Sequence, residues 1–304
     1  MNLWNNSVEI EFFNESLKKF ASKEKLFYNL NGEYFAYIPK DNAKQQNLTL
    51  QSRNSLIGHF TETWAKNILY PIAKKFNLYA LNNVVCEEIG LTKQSSADIA
   101  FCKTADTNQK PENIKIIFEV KMSIISNYKL ENNKVICIGD YKTHCGNPSL
   151  LRSDSMLKAI GKSINIRVSS IKSSHIPIIV LGNSPITENY IKKVDMLKKT
   201  GVIQSFISLN PNPTETKYIK ETPNFGFKTI DKEKDLFDLL ESLLSDELNY
   251  FSAMLSKQEL GNIIKIASKE KSNEYIASKF LTALMKFSRF CPSYILSSSI
   301  PFLK

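Results

Sequence analysis

The chain has 304 residues, of which 42% are hydrophobic, and this is enough to build a sizeable core. Forty lysines and arginines oppose thirty aspartates and glutamates, and the resulting net charge of +10 suits a polyanionic partner. The sequence lacks the run of about 18 apolar residues that a membrane-spanning helix requires. The composition therefore indicates a globular protein and disfavours an integral membrane protein.

The amino terminus and the cysteines bear on where the protein functions. The start, MNLWNNSVEIEFF, has neither the basic segment nor the apolar stretch of a secretory signal, so we expect a cytoplasmic protein. The five cysteines are an odd number without a C-x-x-C pair, which disfavours disulfides and structural zinc. Cys137, His144 and Cys145 cluster in sequence, but a fourth ligand at zinc-finger spacing is missing. We expect reduced thiols and no zinc site.

The first 54 residues form an N-terminal extension with little periodicity, and residues 38–47 have the composition of a loop. A first amphipathic helix is predicted from Ser55, and Pro71 is expected to kink its last turn. Its apolar positions recur at helical spacing: Ile57, Phe60, Trp64, Ile68 and Ile72.

Three strand-like segments follow, at residues 79–90, 97–101 and 114–125, and a meander is the simplest connection between them. A fourth strand is predicted at 134–139. The segment 150–171 then predicts a helix capped by Ser153 or Asp154. We expect this helix to turn Met156, Leu157, Ile160 and Ile164 inward and Lys158 and Lys162 outward.

The remaining core alternates strand and helix. Residues 176–183 are continuously apolar, as in a strand buried on both faces, and a helix ending at Gly201 and a strand at 202–211 follow. This order predicts an α/β fold, with a mixed central sheet flanked by helices. We place the core at residues 55–225 and a helical C-terminal region at 226–304.

The most apolar segment, IKIIFEVKMSII at 114–125, contains two opposite charges, Glu119 and Lys121. Side chains alternate along a strand, so both charges face away from Phe118 and Val120. An ion pair at a sheet surface or an exposed edge strand is one explanation. Asp98 favours another, because a tight meander places it beside Glu119, and two converging carboxylates suit Mg²⁺.

Asp98, followed by Glu119-Val120-Lys121 on the next apolar strand, resembles the motif of the PD-(D/E)xK nuclease superfamily, which includes many type II restriction endonucleases. The resemblance covers residues 55–210. Ser95, Ser96 and Ala97 precede Asp98 in place of the proline in the motif's name, a position that varies widely in the superfamily.

The resemblance implies a Mg²⁺-dependent endodeoxyribonuclease acting on double-stranded DNA, with a stand-alone type II restriction enzyme as the leading interpretation. It implies that Asp98, Glu119 and the carbonyl of Val120 hold the metal, and that Lys121 orients or helps deprotonate the attacking water. Many members add a glutamate from the preceding helix. Glu62 is the candidate here and Glu88 or Glu87 the rival, although a solvated surface carboxylate is an equal alternative. Cleavage of both strands of a palindrome implies a homodimer.

Basic residues after the active strand are the candidates for DNA binding. Arg152, Lys158, Lys162 and Arg167 lie on or near the helix at 150–171, and Lys142 and His144 lie in the loop before it. Such cations neutralise phosphates, and an arginine can read a guanine edge. An ordinary solvated basic face is the alternative.

Other functions have less support. The sequence contains no P-loop, helicase motif, methyltransferase glycine signature or Gly-x-Ser-x-Gly elbow, and residues 259–280 hint only faintly at a helix-turn-helix. Three alternatives stay open: a structure-directed repair or recombination nuclease, a non-catalytic DNA-binding protein on the same fold, and an unrelated α/β protein whose charged strand is structural.

Overall fold

The computed structural model describes residues 3–45, 50–245 and 257–272, together with six residues between 275 and 283. In chain order, its strands are β1 (Tyr28–Leu30), β2 (Glu33–Phe35), β3 (Tyr79–Val84), β4 (Ala97–Cys102), β5 (Ile114–Val120), β6 (Asn127–Glu131), β7 (Lys134–Gly139), β8 (Ile178–Gly182), β9 (Ser205–Ser208) and β10 (Phe227–Thr229). Its α-helices are α1 (Asn6–Lys19), α2 (Lys23–Leu26), α3 (Gln51–Lys75), α4 (Ser153–Ser169), α5 (Ile191–Lys199), α6 (Glu233–Ser245) and α7 (Lys257–Ala267).

A six-stranded mixed sheet forms the centre of the fold, in the order β10-β9-β8-β5-β4-β3. Strands β3, β4 and β5 form an antiparallel meander, and β5, β8, β9 and β10 run parallel. Strand β5 has neighbours on both sides, so its β-branched and aromatic residues Ile116, Ile117 and Phe118 are fully buried. The predicted meander and the mixed α/β fold are confirmed.

The second sheet contains four antiparallel strands in the order β1-β2-β6-β7. The predicted strand at 134–139 exists as β7, but it belongs to this sheet because the chain leaves the central sheet after Val120. The predicted strand at 79–90 ends at Val84. Glu87 and Glu88 lie beyond it in a 3-10 turn that closes at Gly90, which has a left-handed φ of 77°.

The flanking regions share the core with the central sheet. Phe12 and Phe13 of α1, from the predicted N-terminal extension, and Leu236 and Leu240 of α6 belong to one hydrophobic cluster with Phe118. Strand β10 also extends the central sheet past residue 225. Residues from both flanking regions thus pack against the central sheet, and the helices α6 and α7 lie in the predicted helical region.

Helix α4 is rotated relative to the prediction. Leu157 is 60% and Ile164 is 43% exposed, so neither is a core residue as expected, and Lys162 turns inward instead. The helix has Arg152 as its N-cap, without a side-chain cap from Ser153 or Asp154. Its buried residues are Met156, Ala159, Ser163, Ile166 and Arg167.

Arg167 has a structural role, which corrects the expectation that it faces a phosphate. It is 2% exposed, and its guanidinium donates to the Val202 carbonyl at 3.2 Å and to Gln204 Oε1 at 3.0 Å. These hydrogen bonds therefore connect α4 to the segment before β9.

A buried carboxylate connects α1 to the irregular segment that follows β5. Glu9 is 1% exposed and accepts hydrogen bonds from Trp4 Nε1 (2.7 Å), the Ile125 amide (2.7 Å), the Ser126 amide (3.0 Å) and the Tyr128 hydroxyl (2.9 Å). Burial raises the pKa of Glu9 to about 7, against the effect of these donors. The four donors converge on one side chain, which fixes where residues 125–128 lie.

Within the described residues, no helix combines the length and the apolar character needed to cross a membrane.

We predict that Glu9→Gln destabilises the protein by about 1–3 kcal/mol at about pH 6, below the raised pKa, because the amide NH₂ turns a donor toward groups that are themselves donors. Above the raised pKa, removal of the buried charge offsets part of this loss. Urea unfolding monitored by tryptophan fluorescence measures the change. Glu11→Gln is the matched control, since Glu11 is exposed on the same helix. Equal unfolding midpoints for the two variants would contradict the role of Glu9.

Candidate active site

The predicted residues Asp98, Glu119 and Lys121 come together at one edge of the central sheet. The β4–β5 register pairs Ile99 with Phe118, which brings Asp98 level with Glu119 on the neighbouring strand. Lys121 follows the last residue of β5, and its Nζ lies 2.6 Å from Glu119 Oε1 and 3.7 Å from Asp98 Oδ2. The meander thus delivers the two carboxylates and the ammonium group to a single place.

Backbone contacts hold this arrangement. The Val120 amide donates to Asp98 Oδ2 at 2.7 Å, which fixes the Asp98 carboxylate against β5. Lys121 Nζ also donates to the Val120 carbonyl at 3.1 Å. The Ser149 hydroxyl donates to the Lys121 carbonyl at 2.6 Å, so the chain after β5 is fixed as well.

A second lysine enters the site from α4. Lys162 Nζ lies 3.1 Å from Asp98 Oδ1 and 2.5 Å from Glu119 Oε2. Its side chain is 16% exposed, so it is not the outward, DNA-facing lysine that the sequence predicts. Asp98, Glu119, Lys121 and Lys162 are called the carboxylate–lysine cluster below.

The charges of the cluster are strongly interdependent. Burial and the neighbouring Asp98 carboxylate raise the pKa of Glu119, while the two lysines oppose this rise. Burial alone would lower the pKa of Lys162, but Asp98 and Glu119 outweigh it and raise that pKa. Lys162 therefore stays protonated, and its charge compensates the carboxylates.

The oxygen atoms of the cluster fit a divalent cation of the Mg²⁺ type. Such a cation takes one or two carboxylates and completes its shell with carbonyl, water or phosphate oxygens, and Asp98, Glu119 and the Val120 carbonyl supply this set. Glu119 Oε2 is buried and accepts no aligned hydrogen bond, despite its short ion pair with Lys162. A bound cation would satisfy this oxygen, and it would have to displace an ammonium group to do so.

Of the two rival glutamates, the structure places Glu62 beside the cluster. Glu62 is half-buried on α3, and its pKa is raised by burial and by Asp98, with Lys121, His59 and Lys162 opposing. Glu88 is instead exposed and paired with Lys172. Within the described chain, no three His, Cys, Asp or Glu side chains are grouped closely enough to hold a metal, so Glu62 is not a third ligand in this conformation.

The other predicted DNA-binding residues are divided between surface and interior. Arg152, the N-cap of α4, and Lys158, on α4, are exposed and both pair with Asp154, at 3.6 Å and 3.0 Å. Lys142 is exposed and donates to Thr216 and to the Lys217 carbonyl. These cations remain available at the surface.

His144 is buried and therefore does not face a ligand as expected. It is 2% exposed, and its ring stacks on Tyr37 with centroids 4.1 Å apart. Its Nδ1 accepts from the Gly146 amide at 3.0 Å, which places the proton on Nε2, 2.9 Å from the Ile125 carbonyl. Burial lowers the pKa of His144 to about 4.

Comparisons of this chain with protein-family models, with curated proteins and with solved structures found no match. We therefore infer function from the site alone.

We predict an acid-dependent loss of stability from His144. Its pKa is lowered on folding, so its contribution is complete above its ordinary value and is lost as the pH falls toward about 4. At about pH 5 the loss amounts to about 2 kcal/mol relative to neutral pH. Urea unfolding at both pH values should show a pH-dependent change that is about 2 kcal/mol less favourable at pH 5 in the wild type and in His59→Gln, an exposed control, than in His144→Gln, because all other titrating groups, Glu9 among them, are common to the three proteins. A similar pH dependence in all three proteins would contradict the prediction.

We also predict that Lys162→Met destabilises the protein by about 2 kcal/mol in EDTA, because it leaves two adjacent carboxylates with one ammonium group. Mg²⁺ should restore part of this stability by taking the place of the lost cation. Thermal unfolding with and without Mg²⁺ measures both effects. Lys158 is an exposed lysine one turn earlier, and Lys158→Met is the control. Its unfolding temperature should equal that of the wild type, both with and without Mg²⁺. Destabilisation of Lys162→Met that is unaffected by Mg²⁺ would argue against a cation site.

Proposed function

We propose that this protein is a Mg²⁺-dependent endodeoxyribonuclease of the PD-(D/E)xK type that hydrolyses phosphodiester bonds in double-stranded DNA. The observation that carries the proposal is the convergence of Asp98, Glu119 and Lys121 at the edge of the central sheet. Lys121 Nζ lies 2.6 Å from Glu119 Oε1 and 3.7 Å from Asp98 Oδ2. Two carboxylates, a carbonyl and a lysine on adjacent strands are the groups that metal-assisted phosphodiester hydrolysis needs.

In this proposal, Asp98, Glu119 and the Val120 carbonyl hold the cation. When bound, Mg²⁺ lowers the pKa of water and neutralises charge on the phosphate. Lys121, fixed through its backbone by Ser149 and through Nζ by Glu119, orients the attacking water and stabilises negative charge developing on the phosphate. Lys162, which approaches from the other side of the carboxylates, adds a second positive charge in the same place.

Basic surface residues support DNA as the substrate. The chain carries a net charge of +10, and Arg152, Lys158 and Lys142 are exposed cations on α4 and on the loop that precedes it. Contacts of this kind neutralise phosphates and make binding depend on salt. A sequence-specific type II restriction enzyme that acts as a homodimer is the specific form that we propose, since two sites related by a two-fold axis cut both strands of a palindrome.

A non-catalytic DNA-binding protein is the second candidate, and a specific observation favours it. Both carboxylates are already paired with Lys121 and Lys162, so the cluster is charge-compensated without a metal. Under this alternative the cluster is structural, and the protein binds DNA without cutting it.

We predict that the wild-type protein cleaves phage DNA in Mg²⁺ and not in EDTA, and that Glu119→Gln and Lys121→Met each lower the cleavage rate by about 100-fold or more. The reason is that the first change removes a metal ligand and the second removes the group that orients water. Gel analysis of DNA fragments over time measures the rate. Discrete fragments indicate sequence specificity, and a smear indicates a nonspecific or structure-directed nuclease.

Glu88→Gln serves as the control and should cleave at the wild-type rate, because Glu88 is exposed and paired with Lys172. DNA binding without cleavage in Mg²⁺ or Mn²⁺ would refute the nuclease and favour the second candidate. Undiminished cleavage by Glu119→Gln would show that the active site lies elsewhere in the protein.

A further inference from the structure

A cleft of about 520 Å³ lies directly beside the carboxylate–lysine cluster. Val120 and Lys121 line it on the side of the cluster. Tyr28, Tyr37, Arg53 and Arg152 line the rest, together with apolar residues such as Ile57 and with small polar residues of α3 and of the segment 145–155. The cleft thus continues the candidate active site toward the four-stranded sheet, and we call it the arginine cleft.

The lining of the arginine cleft is positively charged. Lys121, Arg53 and Arg152 contribute cations, and the described residues that line the cleft include no aspartate or glutamate. Lys121 pairs with Glu119 and Arg152 with Asp154, both outside the lining, so Arg53 supplies the charge that lacks a carboxylate partner among the described residues. The remaining polar groups are neutral hydrogen-bonding side chains such as Asn54 and Ser155. Such a lining selects an anion over a neutral or cationic ligand.

Arg53 is the residue that points to a ligand. It is 4% exposed, and its Nη1 donates to the carbonyls of Leu26 (3.2 Å) and Ala36. Its Nε is buried without a hydrogen-bond partner in the described chain. The rings of Tyr28 and Tyr37 cover the guanidinium, each with its centroid 5.1 Å from the Arg53 Cζ.

A buried guanidinium without an anion is energetically unfavourable, and two carbonyls and two aromatic rings compensate it only partly. Among the described residues, no carboxylate forms an ion pair with Arg53 at 4.0 Å or less. A phosphate would supply the missing charge, since its oxygens accept hydrogen bonds from a planar guanidinium.

We propose that the arginine cleft binds a phosphate group, specifically that of a nucleotide next to the scissile bond in the substrate strand. The assignment to a substrate strand rests on the proposed function, whereas the phosphate site itself does not. The volume of the arginine cleft is large enough for one nucleotide unit, and Lys121 belongs to both the cleft and the carboxylate–lysine cluster. One bound strand would therefore contact the cleft and the cluster together.

Gly58 offers a direct test, because it lines the cleft from α3 and an added Cβ there meets no atom within 4 Å. Gly58→Gln should fill part of the cleft without displacing the backbone, and it should weaken the binding of a fluorescein-labelled DNA duplex by about tenfold. Fluorescence anisotropy in EDTA measures binding without cleavage. Gly261→Gln is the control, since Gly261 is equally unobstructed but lies in α7, away from the cleft, and binding should be unchanged.

A second pair of variants separates the cleft from the general basic surface. Arg152 and Lys158 are both exposed on or next to α4 and both pair with Asp154, but only Arg152 lines the cleft. Arg152→Ala should therefore weaken DNA binding severalfold more than Lys158→Ala, although each removes one positive charge. Equal losses in this pair, together with wild-type binding by Gly58→Gln, would overturn the inference and leave the proposed nuclease intact.

Adenosine monophosphate and inorganic phosphate distinguish a free ligand from a strand. If the cleft is a phosphate site, both should raise the thermal unfolding temperature of the wild type, and less so that of Gly58→Gln. Stabilisation by these ligands with unaffected DNA binding would overturn the strand assignment in favour of a free nucleotide. If the protein does not cleave DNA in Mg²⁺ but Gly58→Gln still weakens DNA binding, the nuclease is refuted and the phosphate site is supported.

Discussion

The compensation of charge around Glu119 is the constraint on which the site depends. Glu119 is 5% exposed and lies beside a second carboxylate, Asp98, on the neighbouring strand. Two such groups repel each other, and burial intensifies the repulsion, so the fold must bring cations to them. It brings two, Lys121 from the end of β5 and Lys162 from α4. The position of α4 over the sheet edge is therefore linked to the electrostatics of the site.

The chain just after β5 is held by side chains rather than by a sheet. Asn183, at the end of β8, exchanges hydrogen bonds with the Ser123 amide (3.1 Å) and the Ser123 carbonyl (2.6 Å). The Tyr37 hydroxyl donates to the Ile124 carbonyl at 2.8 Å, and Glu9 accepts from the amides of the next two residues. Asn183, Tyr37 and Glu9 thus fix the course of the chain where it leaves the cluster after Lys121.

Much of the fold and three of the four residues of the cluster follow from sequence pattern. Alternation along β5 and the spacing to Asp98 predict that Glu119 and Lys121 share a face and meet a second carboxylate, because strand periodicity is a local property. The inward orientation of Lys162 cannot be predicted in this way. Leu157 and Ile164 suggest a helix face that turns Lys162 outward, whereas the packed face uses the small residues Ala159 and Ser163, which let α4 approach the sheet.

Other features escape prediction because they depend on tertiary contacts. Strands β1, β2 and β6 are only three to five residues long and each contains polar or charged residues, so their pattern is weak. His144 lies in a polar loop and looks exposed in sequence, but the Tyr37 ring covers it. Arg53 sits on a helix with exposed neighbours, and only packing of the two tyrosines reveals that it is buried.

The parallel pairing of β5 with β8 also affects the order in which the molecule is built. Parallel neighbours need a long crossover, and here the crossover contains β6, β7 and α4. Lys162 is part of that connection, so its ammonium reaches the carboxylates only when α4 docks against the sheet. During synthesis, Asp98 and Glu119 emerge from the ribosome well before this counter-charge, and the site matures together with the second half of the central sheet.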